Sequence, residues 1–232
     1  MCSDPQVVEL EQVGSGVPEE EAPVTRPGPD APVVAIDIDG TMGAYHAHFT
    51  KFAEAWTGKE MPKATEPTGG VHFSKHLGIS KATYRRIKLA YRQGGLKRSM
   101  PVYPGMGDLT RFIRSKGCQV WIATTRPYLS LDNIEPDTKH WLTKRAKAQY
   151  DNVLFGEHKY RDLVKAVGRG RIVCVFDDLP EMIDQALSLD LRAYIRTQPY
   201  NTDYARVGLA GRVENSRDMQ WAFEQEWEKF NG

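Results

Sequence analysis

Asp37 and Asp39 stand two residues apart in Asp37-Ile-Asp-Gly-Thr41, at the end of a short apolar run. Thr124-Thr125-Arg126 follows a second apolar run, and Asp177-Asp178 follows a third; Lys159 comes soon after Gly156. Two aspartate pairs brought together would repel, by about 4 kcal/mol per charge pair at ~4 Å and an effective dielectric of ~20. A divalent cation is the usual relief, and oxygen donors without His or Cys favour Mg²⁺ over Zn²⁺. With the cation in place, one carboxylate is free to attack phosphorus, since an ordinary aspartate is ionised at neutral pH and needs no activating base. A second carboxylate two residues on can protonate the leaving oxygen and then deprotonate a water. That requires the chain to leave the extended conformation after Asp37, a turn that Gly40 permits. A threonine hydroxyl and backbone N–H groups can hold phosphoryl oxygens, and a lysine can neutralise the charge that develops on them.

The surrounding pattern is one that would bring these residues to a single rim. Residues 33–38 read as a buried strand, 44–56 as a helix, and 81–92 as a helix capped by Ser80 and ended by Gly94-Gly95. From residue 105 strands and helices alternate: helix 108–116, strand 118–123, helix 137–148, strand 152–155, helix 159–167, strand 171–176, helix 180–188, strand 191–195, and a last helix near 216–229. Such alternation implies an α/β fold, a mainly parallel sheet with helices on both faces. Ligands bind such sheets at the carboxyl ends of the strands, which is where the acids, the threonines and Arg126 fall.

The motifs, in this order, resemble those of the haloacid dehalogenase-like (HAD) phosphohydrolases. Asp37-Ile-Asp-Gly-Thr41 looks like the first motif of that family, Thr124 the second, Lys159 the third and Asp177-Asp178 the fourth. The resemblance implies a Rossmann-like, three-layer fold and an aspartyl-phosphate mechanism. Asp37 would be the nucleophile, Asp39 the acid and base, and Lys159 the charge-neutralising cation. Thr124, Thr125 and Arg126 would bind phosphate. Mg²⁺ would be held by Asp37, by Asp39 through its carbonyl, and by Asp177 or Asp178. Lys165 competes with Lys159 for the third role. Within the family the nearest look is the 5′(3′)-deoxyribonucleotidase-like branch. It is carried by Tyr103-Pro-Gly-Met-Gly, Thr124-Thr-Arg-Pro127, Pro199-Tyr-Asn201 and Arg212-Val213. Residues 31–41 and 104–232 would then form the core and 42–103 an inserted helical cap.

Charge divides the chain unevenly. Its formal net charge of +1 over 232 residues conceals a proline-rich segment, 1–30, with seven acids against Arg26 alone, which reads as a disordered tail. Residues 41–103 carry eleven Lys and Arg against Glu54, Glu60 and Glu66. That field suits an anionic ligand. A small phosphorylated substrate, a nucleotide in particular, is the expected partner. A nucleic-acid end, processed by a 3′-phosphatase, is the alternative, and a non-catalytic nucleic-acid-binding module on the same scaffold is a third reading. His46 and His48 read as surface or cap-core residues more than as residues facing the site, and Phe52, Trp56, Phe73, Tyr84 and Tyr91 read as the cap's own core more than as a base-stacking platform. Cys2, Cys118 and Cys174 lack metal-ligand spacing, and the last two read as buried hydrophobes. A mean hydropathy of −0.51, with no long apolar run and no signal-like N-terminus, argues against a membrane partner and for a cytoplasmic protein.

Overall fold

The computed structural model of the chain describes residues 27–62, 73–125 and 129–232. Six strands form one sheet in the order β3-β2-β1-β4-β5-β6: β1 Val33–Ile36, β2 Gln119–Thr124, β3 Asn152–Phe155, β4 Ile172–Asp177, β5 Ala193–Arg196 and β6 Gly211–Val213. All five pairings are parallel. The central strands are buried along their whole length, which is why they read as continuous apolar runs and not as alternating ones. Alternation does decide which face each side chain serves. Val34 and Ile36 pack with Leu109, Ile113, Met219 and Phe223, on one side of the sheet. Val33 and Ala35 pack with Tyr160, Leu163, Ile183 and Ala186, on the other.

Eight α-helices appear among the described residues: α1 Tyr45–Thr57, α2 Phe73–His76, α3 Lys81–Gln93, α4 Met106–Ser115, α5 Ile134–His140, α6 Lys159–Val167, α7 Pro180–Leu187 and α8 Ser216–Asn231. Ser80 caps α3 by accepting the Thr83 N–H, and Asn215 caps α8 by accepting from Arg217 and Asp218. Residues on α1 and α3, among them Phe49, Ala53, Ile87 and Tyr91, join the same buried cluster as Ile36, Ile38 and Met42.

The structure departs from the sequence reading in three places. The helix expected over 137–148 starts earlier, at Ile134, and continues past His140 as a π-helical turn, Trp141–Arg145, where the Ala146 N–H reaches the Trp141 carbonyl. Trp141 is pinned there: its indole N–H donates to the Met100 carbonyl at 2.7 Å, and its ring fills the space where a Cβ on Gly43 would stand. β6 has no counterpart in the reading; it is three residues long and lies at the sheet edge. Residues 27–30, assigned to the tail, touch the foot of the sheet: Gln119 donates to the Gly28 carbonyl and Arg171 to that of Pro29. The rest of the expected tail lies outside the described residues. Cys118 and Cys174 are buried and unbridged, as expected. No helix among the described residues is long and apolar enough to cross a membrane.

Candidate active site

The carboxyl ends of β1, β2 and β4 meet where the sequence placed its acids. Asp37 directly follows β1 and is buried; its N–H still pairs with the Phe176 carbonyl of β4 at 2.9 Å. Asp177 is the last residue of β4, and Asp178 follows it; both have no exposed surface. One carboxylate oxygen from each of Asp37, Asp177 and Asp178 lies within 4.8 Å of the others. Lys159, the first residue of α6, is wholly buried between them. Its ammonium sits 2.5 Å from Asp37 Oδ1 and 2.6 Å from Asp177 Oδ2. Lys165 points away, three-quarters exposed beside Asp162, so the lysine at the acids is Lys159.

Three buried carboxylates meet at one ammonium, which pairs with two of them, and the imbalance shows in the protonation of Asp37 and Asp178. Burial pushes the Asp37 carboxyl up to about 7; Lys159 pulls it down, while Asp177 and Asp39 raise it further. Asp178 is raised well above the carboxylate range, first by burial and then by Asp177 and Asp37. Burial works against the charge of Lys159, yet Asp177 and Asp37 more than offset this and hold it above its usual range.

Neighbouring groups fix each acid in place. Asp177 Oδ1 accepts the N–H groups of Asp178 and Leu179, just ahead of α7, and its Oδ2 accepts the Tyr160 hydroxyl at 2.6 Å. Asp178 accepts the Thr41 hydroxyl at 3.2 Å and the Tyr200 hydroxyl, and its carbonyl accepts from Asn201. Gly40 passes close by with φ +90°; a Cβ there would collide with the Asp178 carboxylate and the Tyr200 hydroxyl. Gly40→Ala is therefore expected to cut activity at least tenfold and to destabilise the fold by about 1–3 kcal/mol, checked by steady-state rates and urea unfolding. Wild-type values for both would show that the turn is not under this constraint.

Asp39 is placed differently from the other acids. Its carboxylate pairs with Lys97, in the 3₁₀ turn Leu96–Ser99, and with Arg92 of α3 at 3.3 Å, and keeps 18% of its side-chain surface exposed. It is not one of the three carboxylates that draw together. Thr124 closes β2 with a buried hydroxyl that has no hydrogen-bond partner among the described residues. A buried donor of that kind is expected to have a ligand. Thr125 follows it, half-buried; Arg126 lies outside the described residues.

Sequence reasoning missed Tyr160, Tyr200, Arg92 and Lys97. Tyr160 had a signal in its position next to Lys159. Arg92 and Lys97 were counted among eleven like charges, and only burial singles them out. His46 is neither on the open surface nor a partner of the acids: its ring packs 4.5 Å from Tyr200 and 4.8 Å from Phe73. Phe49, Phe52, Tyr84 and Tyr91 pack on one another, as the cap-packing reading expected, while Trp56 is half exposed.

No family model and no curated protein matches this chain. Solved structures do. A HAD family hydrolase from Deinococcus radiodurans R1, with bound phosphate and sodium, aligns with a TM-score of 0.59 at 11% identity, over 85% of this chain and 97% of that one. CbbY from Rhodobacter sphaeroides in complex with phosphate aligns at 0.55 and 14% identity, over 80% and 95%. A candidate phosphoglycolate phosphatase from Lactobacillus delbrueckii subsp. bulgaricus aligns at 0.58 and 14%, over 84% and 98%. The chain therefore has the α/β fold of HAD-family hydrolases, across nearly the full length of those proteins.

Proposed function

We propose that this chain is a Mg²⁺-dependent phosphomonoester hydrolase working through an aspartyl-phosphate at Asp37. The observation that carries the reading is the set of three buried carboxylates at Lys159, with the buried, unpartnered Thr124 hydroxyl at the carboxyl end of the adjacent strand β2. The fold shared with HAD-family hydrolases supports it. The donors fit the metal: Asp37, Asp177 and Asp178 offer only hard oxygens, and the raised protonation of Asp37 and Asp178 is that of acids short of positive charge. When bound, Mg²⁺ supplies the charge that keeps these acids ionised and draws the phosphoryl oxygens among them.

The chain's own residues do the rest. Asp37 attacks phosphorus, and the P–O bond to the leaving group breaks as the new one forms. Asp39, turning from Lys97 and Arg92, delivers a proton to the leaving oxygen. It then takes a proton from the water that hydrolyses the acyl-phosphate. Thr124 donates to a phosphoryl oxygen, and Lys159 holds Asp37 and Asp177 in register while offsetting charge. In this reading α1 and α3, which come between the first motif and α4, belong to a cap over the site. A generic chromogenic phosphate ester should turn over with Mg²⁺ and stop with EDTA; no turnover with any divalent metal would end the reading.

Nucleotides are the proposed substrates. Among the residues behind the nucleotidase-like resemblance, Tyr200 donates to the Asp178 carboxylate, Asn201 to its carbonyl, and Arg212 to the carbonyl of Asn201. The rings of His46, Phe73 and Tyr200 add a surface on which a base could stack. Nucleoside monophosphates and phosphorylated oligonucleotides assayed at two salt concentrations test this. A steep fall in affinity with salt, together with preference for the oligonucleotide, would favour the 3′-phosphatase reading instead.

The metal-free protein should also carry a pH signature. Asp37 binds its proton more tightly folded, at about 7, than at the ordinary 3.8. The stabilisation is complete below pH ~4 and is lost as pH rises toward 7, at up to about 1.4 kcal/mol per pH unit. Mg²⁺ should therefore raise Tm more at pH 8 than at pH 5. An equal gain at both would mean that the ion does not bind at Asp37.

A further inference from the structure

The turn that follows Asp37 is joined to Asp178 by the short loop after β5. Gln198 opens this loop, half-buried, ahead of the 3₁₀ turn Pro199–Asn201. Its side-chain amide donates to the Gly40 carbonyl at 2.6 Å and to the Tyr103 hydroxyl at 3.2 Å. Its backbone N–H donates to Asn201 Oδ1 at 3.0 Å. Asn201, 2% exposed, carries the link on: its Nδ2 lies 2.7 Å from the Asp178 carbonyl and 2.8 Å from that of Arg196. Pro199 fixes one φ of the loop. Arg212, on the neighbouring strand β6, holds it from outside by donating to the carbonyls of Asn201 at 2.8 Å and Thr202 at 3.2 Å. From the Gly40 carbonyl to the Asp178 carbonyl the path is thus closed by a hydrogen bond at each joint.

That path crosses a gap which the sheet leaves open. The β1–β4 ladder ends at the bond from the Asp37 N–H to the Phe176 carbonyl. Past it the first chain turns away through Gly40 at φ +90°, and the second runs into α7. The Thr41 hydroxyl spans the gap at 3.2 Å, but it does so at the Asp178 carboxylate, the group that a cation would engage. Gln198 and Asn201 act on backbone carbonyls and leave the carboxylates free. The separation they fix bears on the size of the ion. Mg²⁺ needs oxygens at about 2.0–2.1 Å in a near-ideal octahedron, whereas Ca²⁺ accepts about 2.3–2.6 Å and irregular shells. Carboxylates free to draw apart therefore lose more for Mg²⁺ than for Ca²⁺. We propose that Gln198 and Asn201 are positioning residues that hold the Asp37 turn and Asp178 at a fixed separation, and so set how well the site takes Mg²⁺ relative to Ca²⁺. The proposal rests on the Mg²⁺ part of the functional reading and is independent of the phosphoryl chemistry.

Titrations of Tm against MgCl₂ and against CaCl₂, on the full chain without substrate, give a Kd for each ion. Asn201→Ala and Gln198→Ala should each raise the Mg²⁺ Kd about tenfold while moving the Ca²⁺ Kd by less than about threefold. Ile113→Val is the control for lost stability alone. It is buried near the end of α4, just ahead of the amino end of β2, so it should lower Tm and leave the ratio of the two Kd values unchanged. If Asn201→Ala fails to fold, Gln198→Ala decides alone. A ratio that moves by less than about threefold in every folded loop variant overturns the proposal, as does an equal movement in Ile113→Val. A parent chain that binds neither ion overturns it together with the metal part of the functional reading. If the ratio shifts but no phosphate ester is hydrolysed, the phosphatase reading falls and the positioning role stands. If esters are hydrolysed and the ratio stays put, the reverse holds.

Discussion

Asp37→Asn should lower turnover of a phosphate ester by roughly 10⁴-fold or more, as removal of a covalent nucleophile does elsewhere, while the protein stays folded. The amide keeps the shape and one acceptor for Lys159, and it removes a carboxylate that burial and two neighbouring acids oppose. Stability of the metal-free variant at pH 8 should therefore equal or exceed that of the parent. Asp39→Asn should cost less, about 10²–10⁴-fold, with the larger loss on alkyl esters. A nitrophenolate leaves without a proton, whereas an alkoxide does not. Normal rates in folded Asp37→Asn protein would discard the covalent route. An unchanged rate for Asp39→Asn would discard its acid and base role.

Lys159→Met is expected to destabilise the metal-free chain by about 3–5 kcal/mol, because it strips the cation from two buried acids instead of removing a balanced pair. The loss should be smaller at pH 5 than at pH 8, since Asp37, already raised with the lysine present, takes up its proton more readily without it. Urea unfolding at the two pH values reads this directly. Lys165→Ala, on the exposed face of α6, should stay within about ±0.5 kcal/mol. A Lys159→Met protein as stable as the Lys165→Ala one would show that the ammonium is not holding the acids together.

β1, β2, β4 and β5 were legible to within one or two residues because burial on both faces leaves unbroken apolar runs; β3, a partly exposed edge strand, and α6 also fall on the expected residues. The acids, Thr124 and Lys159 followed, because a strand end fixes position without any knowledge of side-chain contacts. What stayed hidden depends on contacts across long separations. β6 is three residues whose pairing with β5 is a matter of tertiary placement. The π turn at Trp141 is set by a carbonyl forty-one residues earlier. Arg92 and Lys97 look like the other basic residues of their segment until the fold buries them against Asp39. Tyr200 belongs to a stretch noted only for its family likeness, and its hydroxyl on Asp178 spans twenty-two residues.

β1 lies in the middle of the sheet, yet it comes first among the described strands, and its second neighbour, β4, arrives well over a hundred residues later. Asp37 is therefore made well before Lys159, Asp177 and Asp178, the groups that meet it, and before Asn201, whose amide holds the Asp178 carbonyl. A chain cut just before Asn201 would keep all four of these groups but lose the amide that holds the Asp178 and Arg196 carbonyls, so the acids gain their last support only after β4 and β5 are made.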